Sequence, residues 1–341
     1  MTHRRFCIAI ALALFLGFTW LPYVSAELKI SGYTQARFYS DAFAKRDGDS
    51  DKFDIRRAML TFTMPINDSG TVARLQVDLG ELDDSGDGSV ELAAATITHS
   101  INDMWTARIG FDDIEFGMDI NYSSARRFPF ERSEVARRLL PGGAETALYA
   151  FYQSKTPGRP EVAVGYSNDL RDWAEKNDMT GMTEQHAWVG RVEWPLANNG
   201  CAGVSYMRAH RTGVDDLAAV EAAQGLGPVT SIFRNSVFGL HARYVGINGL
   251  NLQAEYFTGD SKLTDIKGWY GTLEYCPAAG KTTWFYRYDK CDIGTATDYG
   301  RHTLGAAMDV ADNSRFTVQY EDIDRYGEKG SNYGLQWQVS Y

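Results

Sequence analysis

Apolar and polar residues exchange places at every second position over stretches of about ten residues along most of the chain. This is the signature of β-strands with one apolar face. Leu28–Tyr39 sets Lys29, Ser31, Gln35 and Arg37 on one parity and Leu28, Ile30, Ala36 and Phe38 on the other. Arg56–Met64 gathers Ala58, Leu60, Phe62 and Met64 on one face. Ala73, Leu75, Val77 and Leu79 alternate with Arg74, Gln76 and Asp78, and Trp105, Ala107, Ile109 and Phe111 alternate with Thr106 and Arg108. Val90–Ser100 is a weaker case between them. Further strands are expected at Thr146–Gln153, Glu161–Ser167, Gln185–Pro195, Cys201–His210, Ser236–Val245, Gly249–Phe257, Lys267–Cys276, Thr282–Asp289, His302–Val310 and Arg315–Glu321. The series closes on Tyr333–Tyr341, with Tyr333, Leu335, Trp337, Val339 and Tyr341 on one parity and Gly334, Gln336, Gln338 and Ser340 on the other. The total is sixteen strands.

The connections alternate too. Counted from the first, odd gaps are long and polar, among them DAFAKRDGDSD, ELDDSGDGS, the whole of Asp112–Glu145, TGDSKLTD, KCDIGTATDYG and DIDRYGEKG. Even gaps are tight: PINDSG, INDM, SKTPGRP, LANNG, GING, PAAGK and ADNS. A soluble sandwich has no reason to alternate in this way. Outer-membrane barrels do, with short periplasmic turns and longer outer loops. The expected fold is all-β, a transmembrane antiparallel β-barrel of sixteen strands spanning 27–341. In it Tyr333–Tyr341 pairs antiparallel with Leu28–Tyr39, its large residues face outward, and Gln336 and Gln338 face the lumen. Trp337 and Tyr341 then form the aromatic signal read by the barrel assembly machinery.

The N-terminus is consistent with export. Arg4-Arg5, an apolar run from Phe6 to Trp20 and the ending Val24-Ser25-Ala26 have the parts of a cleaved signal peptide over residues 1–26. No longer apolar run follows, so a membrane could be crossed only by strands of a closed barrel. Residues 1–26 hold two of the 34 Lys+Arg and none of the 44 Asp+Glu, so the mature charge is 32 − 44 = −12. That balance argues against nucleic acid as a partner. Cys201, Cys276 and Cys291 are an odd set for an oxidising compartment. They read as isolated thiols without covalent haem or metal-ligand spacing.

Within an acidic chain, Asp112–Glu145 concentrates Arg126, Arg127, Arg132, Arg137 and Arg138 around Glu131. By parity, Arg37, Arg57, Arg74, Arg108, Arg191, Arg243, Arg287 and Arg315 lie on the inner wall, with Asp78, Glu193, Glu255, Asp289 and Glu321 as available partners. Phe53-Asp54-Ile55-Arg56-Arg57-Ala58 resembles the second-strand motif of the phosphate-selective porin O/P family. Phe116-Gly117, Ser123-Ser124 and Phe130-Glu131-Arg132-Ser133 resemble that family's third-loop signature. The resemblance implies a homotrimeric porin whose third loop folds into the lumen, where arginines form a constriction for small hydrophilic solutes or ions, anions such as phosphate among them. It implies outer-membrane lipids and lipopolysaccharide as surroundings, and no cofactor.

Two other chemistries lack support. Asp47-x-Asp49-x-Asp51 begins like a calcium loop, but Lys52 replaces the turn glycine and Ala58 the bidentate glutamate. A hydrolase needs a nucleophile with a positioned histidine, and His99, His186, His210, His241 and His302 lack a recognisable partner motif. The alternative to a pore is a barrel that sheathes a separate electron-transfer or secretion partner, which would need an unblocked lumen.

Overall fold

In the computed structural model the alternating segments pair into one antiparallel sheet whose last strand returns to its first. The structure describes residues 27–43, 51–67, 70–80, 90–140, 143–170, 185–196, 200–211, 234–261, 265–277, 280–294, 297–325 and 327–341. The signal-peptide reading of 1–26 and the aspartates of 47–49 fall outside them.

The strands are β1 (Lys29–Ser40), β2 (Lys52–Asn67), β3 (Thr71–Asp78), β4 (Glu91–Ser100), β5 (Trp105–Asp113), β6 (Ala144–Tyr152), β7 (Glu161–Leu170) and β8 (Gln185–Pro195). They continue with β9 (Cys201–Arg211), β10 (Arg234–Val245), β11 (Leu250–Ser261), β12 (Ile266–Tyr275), β13 (Thr282–Ile293), β14 (Thr297–Ala311), β15 (Ser314–Arg325) and β16 (Glu328–Ser340). Each pairs with its sequence neighbours, and β16 closes on β1 with Arg37 opposite Gln336 and Tyr33 opposite Ser340. Tyr341 extends the seam: its N–H donates to the Gly32 carbonyl (3.0 Å), and the Gly32 N–H donates to its carbonyl (2.8 Å). No helix among the described residues is long and apolar enough to cross a membrane.

The parity expected of the last strand is the one observed. Tyr333, Leu335, Trp337, Val339 and Tyr341 are exposed on the outside, whereas Asn332, Gln336 and Gln338 are buried within. Tyr333 to Tyr341 spans eight strand steps, or about 26 Å at ~3.3 Å each, close to the ~25 Å apolar band of membrane barrels. Other strands repeat the arrangement, with Trp188 and Trp194 bracketing Val192 on β8, and Trp269 and Tyr275 bracketing Leu273 on β12.

Two expectations need correction. Strands next to the long connections run further than the hydrophobic pattern suggests, so half of TGDSKLTD and most of KCDIGTATDYG and DIDRYGEKG are strand, with 262–265, 294–296 and 326–327 between the strands. Beyond the apolar band both faces carry polar groups, and alternation no longer marks the strand. The second correction is at Arg56. Gln35 pairs with Arg57 but Ala36 with Ile55, so Arg56 is the extra residue of a β-bulge. Parity alone would turn Arg56 outward with Ala58. The bulge brings both arginines to the lumen.

Candidate functional site

The connection from β5 to β6, residues 114–143, lies inside the barrel. Ile114, Phe116, Ile120, Val135, Leu139 and Leu140 are each at most 1 % exposed. They pack on inward side chains of the wall, among them Tyr149, Val189, Met207, Phe257 and Tyr270. At about 1.5–3 kcal/mol per fully buried large apolar side chain, this burial fixes the loop as a second layer. One short helix, α1 (Glu134–Leu139), sits in it: the Ser133 hydroxyl accepts from the Ala136 N–H, Glu134 occupies the first turn, and Arg137 and Arg138 the last. That charge order suits the helix dipole.

Polar wall groups supply the partners that a loop without sheet pairing needs. Gly117 N–H donates to Ser205 Oγ (2.9 Å), and the N–H groups of Met118 and Asp119 donate to the two Glu255 oxygens (2.7 and 3.0 Å). Gly117 has φ +61°, and a Cβ there would collide with the Glu255 carboxylate, so only glycine allows this approach. Further along, Phe130 N–H donates to Gln319, and Arg287 and Arg301 donate to the carbonyls of Glu131 and Arg132 (2.8 and 3.0 Å). Gln338 and Arg315 donate to the Ala125 carbonyl, and Tyr33 meets the Ser124 hydroxyl at 2.5 Å. The loop is therefore fastened mainly to β9–β16 and β1.

The two patches that carry the sequence resemblance meet at Glu131. Arg56 grips its carboxylate with Nε and Nη2 (both 2.9 Å), and Arg37 Nη1 reaches it at 3.1 Å. Arg37 is held from the other side by Asp54 at 2.7 and 3.2 Å. Burial would raise the Glu131 pKa, but Arg56 and Arg37 outweigh it and hold the carboxyl well below its usual range. Asp119 is likewise held low: Arg127 and Arg287 outweigh the effect of burial. Arg127 itself is pulled down to about 10, by burial first, with Arg132 and Arg287 adding to it against Asp119. It is still cationic at neutral pH.

On the remaining side, a cavity of about 860 Å³ runs between the loop and β1–β5 with β8. Arg56, Arg57, Arg74, Arg108, Arg127, Arg132, Arg137 and Arg191 line it, together with Asp78, Glu91, Asp112, Asp113, Glu115 and Glu131. Among these lining residues eight guanidinium groups face six carboxylates, an excess of two positive charges. Most are paired: Arg57 with Asp78 (3.2 Å), Arg74 and Arg108 with Asp112 (3.2 Å each), and Arg108 and Arg191 with Glu115 (2.8 Å each).

Most of the arginines singled out from sequence either line the cavity, brace the loop from within, or hold it from the wall. Arg57, Arg74, Arg108, Arg191 and Arg137 line the open space. Arg137 is the freest of these, with half its side chain exposed and Glu134 at 3.6 Å. Arg127 and Arg132 also reach the cavity but brace the loop, donating to the carbonyls of Tyr122 and Ile120. Arg37, Arg287 and Arg315 hold the loop from the wall, and Arg138 folds back onto Glu134 (2.6 Å). Arg126 is exposed, and Arg243 is a wall residue opposite Cys201. Trp337 lies outside, its indole N–H donating to Ser314.

Arg56 and Arg301 are the residues that sequence reasoning missed. The bulge hid the first. The second sits between Asp289 (3.2 Å) and Glu321 (3.3 Å), just outside the strand His302–Val310 expected from sequence. The reversed charge alternation Arg287-x-Asp289 opposite Arg301 was the available signal. Glu255, expected to offset a wall arginine, instead receives backbone N–H groups.

By sequence the chain matches no family model and no curated protein. By structure it is similar to an anion-selective porin from Comamonas acidovorans, with TM-score 0.70, 10 % identity, and 93 % of this chain and 100 % of that one covered. It is also similar to the outer membrane channel DcaP of Acinetobacter baumannii, with TM-score 0.65, 12 % identity, and 94 % and 99 % covered. A third is the trimer form of OmpT, an outer membrane protein of Vibrio cholerae, with TM-score 0.62, 13 % identity, and 93 % and 99 % covered. At these identities the likeness is one of fold. The chain has the closed sixteen-strand fold of outer-membrane porins.

Proposed function

We propose that this protein is a porin of the bacterial outer membrane, of the phosphate-selective O/P type. It passes small hydrophilic solutes by diffusion and favours small anions. The reading rests above all on the loop clamped at Glu131, which narrows the lumen to a passage with two more guanidinium groups than carboxylates. Charge rings of this kind set ion preference in pores, and planar guanidinium donors suit phosphate or carboxylate oxygens. The exterior apolar band and its aromatic edges suit lipid and lipopolysaccharide, with the short turns at the periplasmic side. Residues 1–26 serve as the cleaved export signal, the terminal strand is read by the assembly machinery, and the functional unit is a homotrimer, the form named for one structural neighbour. The loop packed inside the barrel argues against a sheathed protein partner.

The test is a planar-bilayer reversal potential in a salt gradient. Arg74→Glu with Arg137→Glu changes the lining charge by four units while sparing the braces of the loop. The expected result is a shift from anion toward cation preference at near-normal conductance. An unchanged reversal potential refutes the basic constriction, and absence of channels in the unsubstituted protein refutes the pore.

A further inference from the structure

Glu193 on β8, Gly203 on β9 and His241 on β10 stand in one row across three strands, Glu193 opposite Gly203 and Gly203 opposite His241. Residue 203 has no side chain, so Glu193 and His241 meet across it: His241 Nε2 lies 3.0 Å from Glu193 Oε2. A Cβ at 203 would sit 2.5 Å from His241 Cε1 and Nε2, so the glycine is what admits the ring. Cys201, two residues along β9 and on the same inward face, hydrogen-bonds to Glu193. One carboxylate oxygen, one imidazole nitrogen and one sulfur therefore lie within 4.8 Å of one another. His241 is fully buried with Nε2 aimed into the cluster, and its Nδ1 has no partner.

We infer that Glu193, Cys201 and His241 form a binding site for a divalent borderline metal ion, zinc by preference. The donor set argues for a metal over two alternatives. A thiol nucleophile would need the histidine as its base, yet the imidazole nitrogen and the thiol both address Glu193, so there is no relay from sulfur to nitrogen. A purely structural hydrogen-bonded cluster would not need sulfur, carboxylate and imidazole to converge. These three donors are those zinc selects, three protein ligands with a fourth position open to water. Bonds of about 2.0–2.3 Å to a common centre require only that the Glu193–His241 pair open slightly and the sulfur move in. The thiol proton leaves to solvent on binding, and the resulting thiolate and carboxylate balance a dication. Arg191, 3.5 Å from Glu193, is not orphaned by the exchange because it holds Glu115 at 2.8 Å. The site sits beside the short β8–β9 connection, on the wall of the lumen and away from the Glu131 clamp.

The test uses the full chain, folded in detergent, with zinc and cobalt as probes. The expected result is one zinc ion retained per chain after gel filtration. Cobalt should give a near-ultraviolet thiolate-to-metal absorption that zinc abolishes. Cys201→Ser and His241→Gln, each checked for folding by heat-modifiable migration, should weaken zinc by more than the ~10–100-fold typical of a lost outer-shell partner. Cys276→Ser should leave it unchanged. Cobalt bound without the thiolate absorption overturns the site even if the Cys201 variant does not fold. So does zinc retention equal in unsubstituted, Cys201→Ser and His241→Gln proteins, or no retention at all.

Discussion

Replacing Glu131 by glutamine separates the clamp from the rest of the wall. The carboxylate receives three charge-assisted hydrogen bonds, two from Arg56 and one from Arg37. Such bonds are worth roughly 1.5–3 kcal/mol each when fully buried. The Glu131 and Arg56 side chains are 23 % and 28 % exposed, so solvent takes part of the loss. Arg37 also keeps its two bonds to Asp54. About 2–4 kcal/mol is the expected destabilisation of the loop's attachment. The loop itself should stay in place, because its six buried apolar anchors and the Glu255 contacts are untouched.

The electrical effect follows from the same arithmetic. Glu131→Gln removes one negative charge from the lining and leaves Arg56 unneutralised, raising the local excess from two to three. An ion passing at about 5 Å in a water-like dielectric gains or loses ~0.8 kcal/mol from one unit charge, a factor of about four before screening. At 0.1 M salt the Debye length is ~10 Å, which leaves a factor of about two for each ion, and because anion and cation respond in opposite directions the anion/cation permeability ratio should rise about fivefold in bilayer reversal-potential measurements. Lowering the pH of the unsubstituted channel from 7 to 4 should leave the Glu131 clamp itself intact. The Glu131 pKa is depressed by its arginines, so its stabilising contribution is complete above the unfolded carboxylate value of ~4.3 and is lost only as pH falls through the lower folded value. A ratio that falls in Glu131→Gln, or does not move, refutes the placement of the clamp at the constriction.

Gly117→Ala combines a left-handed backbone with a collision against Glu255. A cost of about 1–3 kcal/mol should appear as larger open-channel current fluctuations with the barrel's melting temperature little changed. Glu255→Ala strips the acceptors from the Met118 and Asp119 N–H groups. Each orphaned donor costs ~1–3 kcal/mol, and proteolysis within 114–143 should quicken. Deleting Tyr341 removes two seam hydrogen bonds and the phenol's donation to the Met59 carbonyl (3.2 Å). Together they are worth about 1.5–4 kcal/mol, so the yield of folded barrel should fall while surviving channels keep normal conductance. Unimpaired assembly would show that the seam closes without its terminal residue.

The barrel was legible because a sheet with lipid on one side and water on the other writes its two faces into a period of two. All sixteen strands stand out wherever that contrast holds, from Leu28–Tyr39 to Tyr333–Tyr341. It fails where the contrast fails: the polar upper parts of β13–β16 read as loops, and Arg301 was lost with them. It also fails where register departs from parity. Nothing in FDIRRA marks Arg56 as the bulged residue, because the bulge is a property of the pairing between β1 and β2. The Glu193–Cys201–His241 cluster is hidden for a related reason, since its donors lie 8 and 40 positions apart in sequence and meet only through cross-strand register.

The overall charge of −10 is a poor guide to what an ion meets inside. Several lumen carboxylates are spent as acceptors: Glu255 for the N–H groups of Met118 and Asp119, Asp119 for Ser133, and Asp289 for Glu134. An arginine could not accept in these places, so a loop without sheet partners draws acids into the barrel to hold its backbone. Arginines then gather to offset those acids and to cap the loop's carbonyls, as Arg287 and Arg301 do. In the proposed pore the charge met by a solute is the two-unit excess of the whole lining, to which Arg57, Arg74 and Arg137 contribute from the open side. A substitution among the acids that hold the loop should therefore act first on its attachment, and one among these three arginines first on selectivity. Conductance noise and reversal potential separate the two classes in one recording.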